Sequence, residues 1–363
     1  MSDTVTKRML ALYREVAPVS MFLQSLFSAS GRSFFMTKTV ELDIIRNGRS
    51  IAIPVPDLSS DYNHIARDLS TNKEFLPPIY KEAAPINASD LLDRMPGQDP
   101  FQQPDIRGNI IFRALDAIAL IAERFNRAKE VQASQILQTA TLDLINDNGD
   151  SVYTLDFKGK DTHFPTAAID WDSGTAVMAK NLIDLATVIN TNGKRPVNQA
   201  IFGANAWFLA MENDDFRALF SERRLDQGTV VPMRTMDGGG QYRGVINVGN
   251  YLIDCWTYND AYDHPETGTN TFYVDTNNVI LRAATGDLRS AFGLVPNIGK
   301  LLGAKNFVDI PEIARISDAA GLSDLQTIVW LSENGENLFA GVASRPILFP
   351  AAIDTFGCLQ VIA

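Results

Sequence analysis

Val40–Val55 reads VELDIIRNGRSIAIPV, and this stretch decides how the rest of the chain is organised. Val40, Leu42 and Ile44 alternate with Glu41 and Asp43, and Ile51, Ile53 and Val55 alternate again, which is the period of a strand. Between the two runs lies Arg46-Asn47-Gly48-Arg49. Asn-Gly accepts positive φ at both central positions of a tight turn, so the segment predicts a two-stranded hairpin tipped by Arg46 and Arg49. A lone hairpin is marginal in water. The next fifty residues supply no clear partner, because Pro54 to Pro104 holds eight prolines, few periodic runs and scattered charges. Hairpin and Pro-rich return together read as a projection that needs another surface to lie on.

On the N-terminal side, Met9, Leu12, Val16, Val19 and Leu23 follow helical spacing and make residues 1–35 an amphipathic arm, with Ser28–Arg32 expected to break the pattern. On the other side the pattern turns strongly helical from Ile106. No Gly or Pro interrupts Asn109–Thr139, a rod of about 45 Å at 1.5 Å per residue. A second hairpin is expected from Thr141–Ile145 and Val152–Phe157 around a turn at Asn146–Asp150. Residues 165–305 read as an α/β unit. Its helices are expected at Gly174–Ile189 and Asn205–Glu222. Its strands are expected at Asn198–Phe202, Gly244–Val248, Tyr251–Tyr258, Phe272–Val274 and Val279–Ala283. The tail, Thr327–Leu331, Ala340–Ile347 and Cys358–Ile362, is strand-rich.

The chain has 363 residues, 45% hydrophobic and 21% charged, which excludes wholesale disorder. No run approaches the roughly 18 continuous apolar residues of a membrane span, and no signal-peptide pattern opens the chain. It is expected to stay in the compartment where it is made. The net charge is −11, divided into +3 over residues 1–50 and −14 over the rest. A sequence-reading nucleic-acid binder needs a basic surplus for phosphate contacts, so that class is disfavoured. A mildly basic arm on an acidic body suits contact between subunits, and a solvated arm explains it equally well.

Catalytic signals are sparse. Cys255 and Cys358 lie in apolar surroundings and read as buried reduced thiols. His64, His163 and His264 are far apart in sequence, in polar, turn-like stretches. Asp147-Asn148-Gly149-Asp150 lacks the closing glutamate of a calcium loop, having Thr154 in its place, and reads as a hairpin turn. Asp237-Gly238-Gly239-Gly240 lacks Rossmann spacing and a Walker lysine and reads as a flexible loop. Asp170 and Asp172 would share a face on a strand as an acid/base pair, yet Asp172-Ser173-Gly174 is also an ordinary approach to a helix N-terminus. The expectation is a non-enzyme with no catalytic, cofactor-binding or metal-ligating residues.

The order of pieces resembles the major capsid protein of tailed bacteriophages, the lambda-type capsid protein E family. The carrying residues are Pro77-Pro78-Ile79-Tyr80, Pro85-Ile86 and Arg94-Met95-Pro96-Gly97 before the long helix, and Tyr153-Thr154-Leu155-Asp156-Phe157 after it. Further along come Gly240-Gln241-Tyr242-Arg243-Gly244, Tyr258, Tyr262, Asn278-Val279-Ile280-Leu281 and Phe292-Gly293, the last in place of the usual Tyr-Gly. The resemblance covers roughly residues 35–300.

It implies an α+β chain of Hong Kong 97 type. Residues 1–35 would be the N-arm, 36–85 the E-loop, 86–164 and 306–363 the P-domain with a spine helix at about 109–139, and 165–305 the A-domain. It also implies a head shell, icosahedral or prolate, enclosing double-stranded DNA, built of hexamers and pentamers of this chain. The partners implied are a scaffold, a portal and a decoration protein, with the packaged DNA touched only weakly and non-specifically. The location implied is the virion, reached through the host cytoplasm during assembly. The arm is expected to be ordered by a neighbour, with no cleaved pro-segment, and Lys38 is expected to form no cross-link. Inter-subunit contacts are expected at Arg46, Asn47, Gly48 and Arg49 of the hairpin tip and at Arg8 and Arg14 of the arm. An encapsulin-like cellular shell shares the implied fold, and a soluble α/β enzyme using Asp170 and Asp172 is the remaining alternative.

Overall fold

The computed structural model describes residues 21–35, 40–44, 71–75, 77–87, 106–146, 148–220, 239–295, 325–332, 334 and 337–362. Its longest element is the helix Ile106–Thr139 of 34 residues, about 51 Å long at 1.5 Å per residue. It starts three residues before the expected Asn109. Gly108 is tolerated because it sits in the first turn, where backbone N–H groups have no helical partner anyway.

This helix lies in two cores. Its first half buries Ala114, Ile118, Ile121 and Phe125 with Ile86, Val329, Ala340 and Val342. Its second half buries Ala133, Ile136 and Leu137 with Phe22, Leu23, Phe27, Ile201 and Ile280. The first core is closed by a three-stranded antiparallel sheet in the order Gln326–Leu331, Asn337–Ser344, Tyr80–Asn87. Part of the Pro-rich return is therefore a strand, running through the expected boundary at 85/86. Pro85 is accommodated because Tyr80–Asn87 is an edge strand, where a missing ladder N–H is tolerated.

The second core lies under a five-stranded sheet ordered Phe356–Gln360, Asn278–Arg282, Gln199–Phe202, Tyr251–Thr257, Gln241–Val248. Strand alternation assigns its two faces. Ala200, Phe202, Cys255, Val279, Leu281 and Leu359 join one cluster with the helix Met178–Gly193, whose Met178, Leu182, Leu185, Ala186 and Ile189 repeat every three to four residues. Ile201, Ile280 and Cys358 point the other way, to the long helix. A further sheet runs Ser28–Phe35, Leu288–Gly293, Pro346–Pro350. The short helix Phe22–Ser25 gives way to this strand, so the arm's helical pattern breaks where expected, with Gly31 inside the strand.

Other differences from the sequence reading have local causes. The helix expected at 174–189 is found at Met178–Gly193. Ser173 N donates to the Asp170 carbonyl at 3.0 Å, so Asp172-Ser173 belongs to a turn and Val177 is the N-cap. The extra C-terminal turn is held from outside: the Asn192 amide meets His163 Nε2 and Lys160 Nζ, each at 3.0 Å. A Cβ at Gly193 would collide with the Asp354 carbonyl. The helix expected at 205–222 is divided into Ala204–Glu212 and Asp214–Arg217, because the Asn213 side chain accepts from Phe216 N at 2.9 Å and caps a new start. Ala218 and Leu219 form a turn and Phe220 bridges to Ile246, while 221–222 lie outside the described residues.

Arg282 is 5% exposed at the end of its strand. Its Nε has no acceptor, and burial lowers the guanidinium pKa to about 10. Desolvating a cation without a matched anion is unfavourable, so Arg282→Met is expected to keep or raise subunit stability, by up to about 4 kcal/mol. Thermal unfolding checks this, and a variant destabilised by more than about 2 kcal/mol contradicts it.

Candidate assembly surfaces

Two features of the body present apolar side chains to the outside. The outward face of the three-stranded sheet carries the row Trp330, Phe339, Pro85, set by direct pairing across the strands. Trp330 and Phe339 stack at 5.4 Å between centroids with 17° between planes. Gly341 makes this possible, since a Cβ there would lie 2.6 Å from the Trp330 ring. Ile328 and Ala83 pair with Gly341 in the adjacent row. On the long helix, Phe112 is 49% and Leu120 46% exposed. They are eight residues apart, so they lie on one side of the helix. Arg124 Nε lies 3.1 Å from Glu82 Oε2 and ties the helix to the edge strand.

The strand expected beside Val40–Ile44 is Ile51–Val55, but the partner found is Thr71–Phe75, antiparallel from Val40↔Phe75 to Ile44↔Thr71, so Val40–Ile44 lies at the base of a longer hairpin. The strand expected at Ile51–Val55 and the tip Arg46-Asn47-Gly48-Arg49 lie outside the described residues, as do Arg8, Arg14 and Lys38. The two strands form a sheet of their own, with no third strand among the described residues. Two strands alone do not hold a stable sheet in water, so the hairpin base needs a surface against it.

The motifs screened for chemistry resolve as structure. Asn146 Oδ1 accepts from Asn148 N and Asp150 N, both at 2.9 Å, while Gly149 has φ +82°, so the Asn-Asp-rich loop is a side-chain-stapled turn. Gly240 is packed rather than free, because a Cβ would collide with the Phe22 ring. Asp237 and Gly238 lie outside the described residues, as does His64. His163 is buried, with Nδ1 2.8 Å from the Phe356 carbonyl. Cys255 and Cys358 are both buried free thiols, and burial raises both pKa values. No group of three metal-binding side chains occurs among the described residues. No described helix is long and apolar enough to cross a membrane. A polar cleft of about 530 Å³ lies beside Gln135, Gln138, Tyr262 and Asp275.

The sequence reading missed Glu130. It is fully buried on the long helix and accepts from Leu23 N, Gln24 N and the Tyr258 hydroxyl at 2.7, 2.8 and 2.9 Å. Its one visible signal was position, between the turns of Phe125 and Ala133, on a stretch of helix that also buries Lys129, Gln132 and Ser134.

The sequence model of the family described as phage major capsid protein E matches residues 6–312. The chain belongs to the phage major capsid protein E family. Its fold is that of Hong Kong 97-type capsid proteins. A crystal structure from an E. coli CFT073 prophage, assigned as a capsid protein, aligns with TM-score 0.58 at 16% identity, covering 95% of this chain and 94% of that one. The capsid asymmetric unit of cyanophage A-1(L) aligns with TM-score 0.50 at 11% identity, covering 100% and 99%. An encapsulin from Synechococcus elongatus reaches TM-score 0.40 at 10% identity, covering 96% of each chain. Among curated proteins the chain finds no sequence match.

Members of the capsid protein E family are structural proteins, not enzymes, which removes the soluble-enzyme reading of Asp170 and Asp172. In this capsid protein Asp170 lies in a turn just before the helix and not on a strand, so strand alternation does not pair it with Asp172. For the exposed pair on the long helix, Phe112→Ser with Leu120→Ser is expected to change subunit stability by less than about 1 kcal/mol in total. Denaturant unfolding measures this, and a loss of several kcal/mol would show that the two side chains are packed within the subunit.

Proposed function

We propose that copies of this chain assemble into the closed head shell, icosahedral or prolate, that encloses the double-stranded DNA genome of a tailed phage. The observation that carries the reading is an asymmetry within one subunit. The long helix is braced in two cores and still exposes Phe112 and Leu120, while the hairpin base Val40–Ile44 with Thr71–Phe75 has no third strand among the described residues. Among the described residues nothing covers that surface or supports that projection, and the two are complementary when they belong to neighbouring copies.

In this reading residues 1–35 act as the N-arm, and the projection from residue 36 to the Pro77-Pro78 step acts as the E-loop. The strand Tyr80–Asn87 is assigned to the P-domain, because it is paired along its length with Asn337–Ser344 and packed on the long helix. The body built on the five-stranded sheet acts as the A-domain, through which copies meet around the axes of hexamers and pentamers. Arg46, Asn47, Gly48 and Arg49 of the Asn-Gly turn, and Arg8 and Arg14 in the arm, contact neighbouring subunits. A scaffold and a portal direct assembly in the host cytoplasm, and a decoration protein covers the finished head. The net charge of −11 suits a wall that holds DNA without gripping it.

Light scattering of the purified protein with negative-stain microscopy tests the reading. Megadalton closed shells, formed alone or on adding scaffold, are expected. A species of about 40–160 kDa that stays so with scaffold and portal present would contradict it.

Two variants separate the contacts. Arg46→Glu with Arg49→Glu is expected to abolish or strongly reduce shell yield while leaving the subunit soluble, and wild-type yield would remove the turn from the contact. Phe112→Ser with Leu120→Ser is expected to lower shell yield at unchanged subunit stability.

A further inference from the structure

Glu130 joins three parts of the chain. It projects from the middle of the long helix and is fully buried. Oε1 accepts from Leu23 N at 2.7 Å and from the Tyr258 hydroxyl at 2.9 Å, and Oε2 accepts from Gln24 N at 2.8 Å. The two backbone donors are the second and third N–H groups of the short helix Phe22–Ser25, which its own hydrogen bonds leave unpaired. Phe22 fills the space beside them, 5.3 Å from Tyr258 and 5.6 Å from Trp256, under Gly240. The N-terminal twenty residues depart from this point. The carboxylate is therefore the polar half of the tie and Phe22 the apolar half.

We propose that Glu130 is a proton-controlled latch that sets how firmly the segment Met21–Phe27, and with it the root of the N-terminal arm, is held on the body. The chemistry is a single proton transfer from solvent. When ionised, Glu130 accepts from all three donors but pays for its removal from water. When protonated, one oxygen carries a hydrogen that needs an acceptor. Rotation of the Tyr258 O–H supplies one, since the hydroxyl can give up its role as donor and receive instead. Both backbone N–H groups keep an oxygen in either state, so protonation removes the buried charge without losing a tie to the arm.

The surroundings set the direction. Met21–Phe27 carries no titratable side chain. From the strand side Glu130 is faced by Tyr258 and by Asp260, whose negative charge disfavours ionisation. Tyr273, stacked 5.9 Å from Tyr258, and Tyr262 beyond it are also held neutral, with pKa values raised mainly by burial. On the helix itself Lys129 lies over the Phe292 ring and Arg127 beside Glu123. Burial is the largest influence and raises the Glu130 pKa from 4.5 to about 7, against the lowering effect of its three donors. A carboxyl raised in the docked state binds its proton more tightly there than when the arm is loose. Docking is therefore strongest below about pH 4.5 and weakens as pH rises toward 7, with no further loss above it. This holds whether or not copies form shells.

Amide hydrogen exchange at Leu23 and Gln24 in the full-length soluble subunit, corrected for intrinsic rates, reads the latch. Between pH 5 and pH 8 protection is expected to fall by up to roughly 70-fold. Glu130→Gln keeps the shape and one acceptor without titrating, so its corrected protection should be flat with pH. The same pH profile in both proteins, or protection that rises with pH in the wild type, overturns the proposal. Should Glu130→Gln not fold, the carbon-13 shift of the Glu130 carboxyl in the wild-type subunit serves. Its titration midpoint should lie well above 4.5 and coincide with the fall in protection, and a midpoint near 4.5 would overturn the proposal.

Discussion

Everything else in this subunit is arranged around the fact that one helix, Ile106–Thr139, serves two hydrophobic cores in succession. Its first half is covered by the three-stranded sheet and its second by the five-stranded sheet and the segment around Phe22. A helix of that length has little stability of its own beyond propensity, so its persistence comes from burial of both halves. The Arg124–Glu82 contact and the Gln132 amide, which meets the Tyr80 hydroxyl at 2.8 Å, add polar pins between helix and edge strand.

Much of this was readable in the residues. The long helix, the hairpin Thr141–Ile145 with Ser151–Asp156, and the alternating strands of the α/β unit all derive from periodicity that a single buried face imposes. The boundaries that moved did so for reasons outside local sequence. Periodicity ends the helix at Ile189, yet Asn192 finds His163 and Lys160 across the fold and the helix runs on to Gly193. Asn213 sits mid-pattern in what periodicity reads as one helix, yet its side chain caps a second. Tyr80–Asn87 is hidden among prolines and becomes a strand only because Asn337–Ser344, some 250 residues on, offers a ladder. Long-range partners of this kind leave no mark on neighbouring residues.

The functional surfaces were legible in a different way. The absence of a dense titratable cluster correctly pointed away from catalysis, and membership of the capsid protein E family agrees. Ordered short motifs carried the fold type: among the described residues, Pro85 falls on an edge strand and Gly240 packs against Phe22. The position of Glu130 was too weak a signal to single it out, because a glutamate in a helix is ordinarily a solvated residue. Only the arrival of the chain around Leu23, more than 100 residues upstream, turns it into a buried junction.

The two cysteines acquire a use from their placement. Cys255 belongs to the core beneath the helix Met178–Gly193, and Cys358 to the core that clasps the long helix, so the same sheet carries one thiol on each face. Burial keeps both protonated, and a protonated thiol is a poor nucleophile until its core opens. The chain therefore contains two internal clocks. The order in which they react with a soluble alkylating reagent records which side of the sheet comes apart first.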